Sequence, residues 1–218
     1  MRALFTPEIR KRLAASRAVA TVTIDCVDHA QPLAEALLTG GIQSVEVTLR
    51  TPAALDAMRS IAENYPQMMV IAGTVVTPEQ VLQVQDAGAV CAVAPGMNRR
   101  VMEASIRLKL PFAPGVATPS EIETALEYDC DILKFFPAEP LGGLAYLKSM
   151  QAPYAHRELQ FIPLGGLNAT NSKIYLKESS ILAVGGSWIA QPDAIFAGDW
   201  KGIEQRAAEV MSSSQKEL

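Results

Sequence analysis

The chain has 218 residues, 49% of them apolar, and a formal net charge of −4. That is enough hydrocarbon for one sizeable core, and an α/β barrel of this length folds as a single domain over residues 1–218. The acidic balance and lack of a long basic run argue against a nucleic-acid partner, and no run of 18 uncharged apolar residues offers a membrane span.

In chain order, the N-terminal stretch MRALFTPEIRKRLAAS carries charges throughout and lacks a signal peptide's apolar centre, so a cytoplasmic protein is expected. It reads as an extra N-terminal helix over residues 1–17, with Thr6 as cap and Pro7 at its first position. From about 18 to 210, two kinds of segment alternate. Eight short apolar runs read as strands: AVATVTI (18–24), SVEVTL (44–49), MMVIAG (68–73), VCAVA (90–94), LPFAPG (110–115), DILKFF (131–136), LQFIPLGG (159–166) and ILAVGG (181–186). Between most of them lie helix-like segments such as DHAQPLAEALLTGG and TPSEIETALEYD. Three of these open on Thr-Pro, at Thr51, Thr77 and Thr118, with Thr as expected cap; TGG at 39–41 and DAG at 86–88 read as stops.

The runs are apolar almost without interruption, as parallel strands covered on both faces are. Strand–helix alternation predicts a parallel α/β fold, and eight units predict a (β/α)₈ TIM barrel. A doubly wound open sheet is the alternative. The three cysteines, Cys26, Cys91 and Cys130, have no metal-ligand spacing and are expected to be reduced core residues. His29 and His156 lie away from the strand ends, and no His/Asp/Glu cluster has metal-ligand form. No P-loop or strand–GxGxxG–helix unit is present, so neither a metal nor a nucleotide cofactor is expected.

In such a barrel, chemistry belongs at the C-terminal strand ends. In VEVTLRTP, Glu46, Thr48 and Arg50 are two apart and share a face. They read either as part of a structural ion pair or as an acid/base carboxylate with an arginine for an anionic group. Thr74 opens the loop after the third run, and Pro95-Gly96 is a turn after the fourth. In DILKFFPAE, Ile132, Lys134 and Phe136 share one face of an apolar run. Burial disfavours a charged amine, and a neutral lysine can form a Schiff base; a buried Lys134–Glu46 ion pair without chemistry is the competing reading. The last two runs each end in Gly-Gly before a polar residue: Gly165-Gly166 then Asn168, and Gly185-Gly186 then Ser187. Glycines let backbone N–H groups approach an anion, a helix N-terminus adds donors, and barrels often hold phosphate after strands seven and eight.

The stretches VEVTLRT, AGTVVTPEQ, APGMN, PFAPGVATPSE, LKFFPAE, LGGLNATN and VGGSWIA resemble the 2-keto-3-deoxy-6-phosphogluconate (KDPG) aldolase family, which includes 4-hydroxy-2-oxoglutarate (KHG) aldolase activity. The resemblance covers about residues 18–210, in order. It implies a class I aldolase, a homotrimer without metal or cofactor, acting on a phosphorylated 2-keto-3-deoxy sugar acid to give pyruvate. By motif, Lys134 is implied as the Schiff-base lysine and Glu46 as the general acid/base. Arg50 and Thr74 would hold the pyruvate carboxylate and carbonyl region, and Pro95 and Phe136 would line the pocket. Gly165, Gly166, Gly186 and Ser187 would take the phosphate.

Three positions depart from the family pattern. Leu164 stands where gluconate-series members carry Thr, and galactonate-series aldolases have an apolar residue there, so the C4 epimer, 2-keto-3-deoxy-6-phosphogalactonate, is an alternative substrate. Ala94 and Ala117 stand where Ser is common. The rival readings are a phosphosugar isomerase or lyase using the Lys–Glu pair for proton transfer only, and a non-enzymatic anion-binding barrel.

Overall fold

The computed structural model describes residues 5–215; the outermost residues of the expected helix and domain, 1–4 and 216–218, lie outside the described ones. The elements run α1 Pro7–Ser16, β1 Ala18–Val22, α2 Ala30–Thr39, β2 Ser44–Thr48, α3 Ala54–Asn64, β3 Met69–Gly73, α4 Pro78–Asp86, β4 Cys91–Val93, α5 Arg99–Leu108, β5 Phe112–Ala113 and β6 Gly115–Val116. They continue with α6 Pro119–Glu127, β7 Ile132–Phe135, α7 Gly143–Gln151, β8 Gln160–Pro163, α8 Ser172–Tyr175, β9 Val184–Gly186, α9 Pro192–Phe196 and α10 Trp200–Gln215.

Several helix starts follow local chemistry. Thr6 accepts from the Ile9 N–H, and Thr77 and Thr118 each close a reciprocal capping box with Gln80 and Glu121. Thr51 does not cap, against expectation. Its hydroxyl donates to the Ile24 carbonyl at 2.5 Å, which ties it to the end of β1, and α3 opens three residues later at Ala54.

All strand pairings are parallel, in one six-stranded sheet ordered β5-β4-β3-β2-β1-β9 and one of three, β6-β7-β8. The run expected as one strand over 110–115 is two short ones separated by Pro114, which has no N–H to donate. Its first half pairs with β4 and its second with β7. On the other side, a parallel bridge joins Phe161 of β8 to Ile181, just before β9.

Period-two alternation sorts the strand side chains into two apolar clusters. Ala18, Val45, Val70, Leu133 and Phe161 belong to the larger one, together with helix residues such as Leu33, Met58, Val81 and Leu147. Val19, Met69, Ile71, Cys91, Val93, Ile132, Ile162 and Leu164 form a second, inner cluster. Phe5 and Leu13 join that inner cluster from the chain's first segment, so α1 packs on the inside of the sheet. Cys91 and Cys130 are buried as expected; Cys26 is exposed, because it lies in the loop after β1 and not on a packed face.

Candidate active site

The inner face turns polar toward the C-terminal strand ends. Glu46 of β2 and Lys134 of β7 are only 2% and 5% exposed, and Lys134 Nζ donates to Glu46 Oε1 at 2.9 Å. Strand parity puts both there: Val45 and Val47 join the outer cluster, as do Leu133 and Phe135. Glu46 reaches the lysine across β3 because Gly73 has no side chain. A Cβ on Gly73 would lie 2.3 Å from Glu46 Oε1, far inside contact distance. The second carboxylate oxygen accepts from Thr21 Oγ1 at 3.3 Å. Beyond it, Thr48 Oγ1 donates to the Val22 carbonyl at 3.0 Å; with its one proton so used, Thr23 is the donor in the 3.1 Å Thr23–Thr48 contact. Thr21 and Thr23 went unnoticed in the sequence, although their two-residue spacing after Val19 places them on the same inner face.

Phe136 follows β7 with its ring centroid 5.4 Å from Lys134 Nζ, so the amine lies over an aromatic face. Thr74, directly after β3, has φ 61, a conformation unusual for a β-branched residue. Arg50 is not on the strand face: β2 ends at Thr48, and Arg50 lies in the following turn, exposed, with no hydrogen bond or ion pair to its guanidinium among the described residues. An unpaired guanidinium at the mouth suits an incoming carboxylate. Pro95 is exposed beyond β4, and its carbonyl occupies the space a side chain on Gly115 would need; Gly115 is the register partner of Lys134.

Leu164 is buried in the inner cluster and packs on Gly185. Gly165 and Gly166 follow with φ 96 and 81, in the left-handed region glycine adopts freely. Neither donates its N–H to another group among the described residues. Gly186 ends β9, buried, and Ser187 is exposed beside it. The helix expected behind the first Gly pair is displaced. Residues 167–171 form a turn in which Asn168 accepts from the Thr170 and Asn171 N–H groups, and α8 has only four residues.

A cavity of about 870 Å³ lies elsewhere, at the N-terminal ends of β7 and β8 between Arg10, Asp131, Lys148 and Glu178. Its Arg10–Asp131 and Lys148–Glu178 pairs remain partly exposed to water, whereas Lys134 and Glu46 are buried. A lysine–carboxylate pair taken out of water favours the Lys134 end as the candidate site. Among the described residues no three His, Cys, Asp or Glu side chains converge as a metal ion would require.

A family model described as KDPG and KHG aldolase matches residues 9–206. The chain belongs to this family. A KHG/KDPG aldolase of Escherichia coli (strain K12) is 38% identical over 197 residues, 90% of this chain and 92% of the relative. A 2-dehydro-3-deoxy-phosphogluconate aldolase of Treponema pallidum (strain Nichols) is 42% identical over 187 residues, 86% of this chain and 88% of its own. The crystal structure of a Legionella pneumophila KDPG aldolase, with pyruvate captured as a covalent carbinolamine intermediate, superposes with a TM-score of 0.88 at 37% identity. It covers 94% of this aldolase-family chain and 98% of that one.

Proposed function

We propose that this chain is a class I aldolase that cleaves 2-keto-3-deoxy-6-phosphogluconate to pyruvate and glyceraldehyde 3-phosphate, and 4-hydroxy-2-oxoglutarate to pyruvate and glyoxylate. The observation that carries the reading is the buried 2.9 Å contact between Lys134 Nζ and Glu46 Oε1. An ammonium must lose a proton before it can attack, and a carboxylate at hydrogen-bond distance is the group to take it.

Lys134 adds to the C2 ketone, and Glu46, directly or through a water, moves protons as the carbinolamine loses water. The protonated imine then accepts the C3–C4 bonding electrons while the C4 hydroxyl proton passes to Glu46. The aldehyde leaves. The enamine is protonated at C3, and water hydrolyses the imine to release pyruvate and the free lysine. Arg50 and Thr74 take the pyruvate carboxylate and carbonyl region, Pro95 and Phe136 line the pocket, and Gly165, Gly166, Gly186 and Ser187 receive the phosphate.

The parallel strands read as a closed (β/α)₈ barrel. Two junctions support this: the single run split at Pro114, which pairs with β4 on one side and β7 on the other, and the Phe161–Ile181 bridge from β8 toward β9. The assembly is a homotrimer in the cytoplasm, on the family resemblance. Light scattering should give roughly three times the 23.4 kDa chain mass.

Borohydride added with pyruvate should leave a stable mass increase on Lys134. No adduct under conditions of turnover would sink the Schiff-base reading and favour proton transfer alone. A second reading rests on Leu164: an apolar residue there removes a hydroxyl that could bond the C4 substituent, so the galactonate epimer enters as a substrate.

A further inference from the structure

The loop after β8 is held from behind. Three successive carbonyls each have a partner: Leu164 O accepts from the Ala138 N–H at 2.7 Å, Gly165 O from the Glu139 N–H at 3.0 Å, and Gly166 O from Asn171 Nδ2 at 3.2 Å. In a trans peptide the N–H of the next residue points opposite to the carbonyl. The N–H groups of Gly165, Gly166 and Leu167 therefore point away from these partners, and none of the three is donated among the described residues. Successive outward N–H groups make an anion-binding concavity.

Two devices fix that arrangement. Asn171 is oriented by its other end: Oδ1 accepts from the Asn168 N–H at 2.7 Å, which leaves Nδ2 as the group facing Gly166 O. Glu139, whose side chain packs under Gly166, is anchored by the buried Tyr175, whose hydroxyl donates to Glu139 Oε1 at 2.6 Å. Burial, and then the bond to Glu139, raise the phenol's pKa, so it stays a donor through the neutral range.

We propose that Asn171 and the Tyr175–Glu139 pair are positioning residues that set the peptide planes of the Gly165–Gly166 loop for a phosphoryl group. They touch no reacting atom and act through the backbone they brace. The inference rests on the aldolase reading for its substrate, but not for its anion.

The test uses two variants, Asn171→Ala and Tyr175→Phe, the first being a half-buried loop change that keeps the question open if the second folds poorly. Titration with inorganic phosphate should show affinity weakened roughly five- to tenfold, the scale of one lost hydrogen bond in each case. In turnover, the loss should fall on KM for the phosphorylated sugar acid and be several times larger than any change with 4-hydroxy-2-oxoglutarate, which has no phosphate. Wild-type phosphate affinity in both variants, equal losses on the two substrates, or no phosphate binding by the wild type would each overturn the proposal. Absence of a pyruvate adduct on wild-type Lys134 would overturn the aldolase reading, while the phosphate titration would still decide the brace.

Discussion

Lys134 and Glu46 are each other's only ionic partner among the described residues, which ties stability to chemistry at one contact. Glu46→Gln leaves a buried ammonium without its counter-charge and should destabilise the fold by about 3–5 kcal/mol, read from urea denaturation, besides abolishing turnover. Replacing both members with apolar residues of similar size, Glu46→Leu with Lys134→Met, should recover most of that stability and none of the activity. A double variant as unstable as the single would mean that the pair is not the source of the loss. At Leu164 the question is selectivity. Leu164→Thr should raise the ratio of kcat/KM for the gluconate over the galactonate substrate, measured by coupling pyruvate to lactate dehydrogenase, because a hydroxyl facing the C4 substituent discriminates better than a methyl group. An unchanged ratio would place the stereochemical choice elsewhere.

At the level of elements, β3 holds two unusual positions in succession. Gly73 makes room for Glu46, and Thr74 then turns with φ 61. A β-branched residue there costs roughly 1 kcal/mol, and Asn tolerates the conformation better. Thr74→Asn should therefore melt no lower than the parent while weakening pyruvate trapping; a lower melting temperature would refute the strain. Much of this level is readable from the sequence. Alternation in SVEVTL and DILKFF puts Glu46 and Lys134 on inner faces, and Thr-Pro followed by Gln80 or Glu121 marks two helix starts. What is not readable depends on distant neighbours. Thr51 looks the same as Thr77 and Thr118 until the Ile24 carbonyl claims its hydroxyl. Arg50 continues the period of β2 on paper, but the strand ends two residues earlier. The Tyr175–Glu139 bond joins residues 36 apart and has no local signature.

Across the whole molecule, the sorting of side chains into two clusters governs which groups reagents can reach. Cys91 belongs to the inner cluster and Cys130 to the outer. Burial pushes both thiols up to about 12, with Glu46 adding to the effect at Cys91 and Asp131 and Asp129 at Cys130. Below that pH they remain protonated and packed. A disulfide reagent at pH 8 should therefore titrate one thiol per native chain, the exposed Cys26, and all three after unfolding. Two or three fast thiols in the native protein would contradict the packing.

The contribution of Phe5 and Leu13 to the inner cluster bears on traffic. With α1 held against the strands by Leu13 and the Arg10–Asp131 pair, the Lys134 end is the expected doorway for substrate and both products. On the proposed mechanism the pyruvate fragment stays tethered to the lysine until water hydrolyses the imine, after the aldehyde has been cleaved from it. Departure is then a queue: the aldehyde must clear the doorway before water and the second product can use it, so pyruvate is the last to leave.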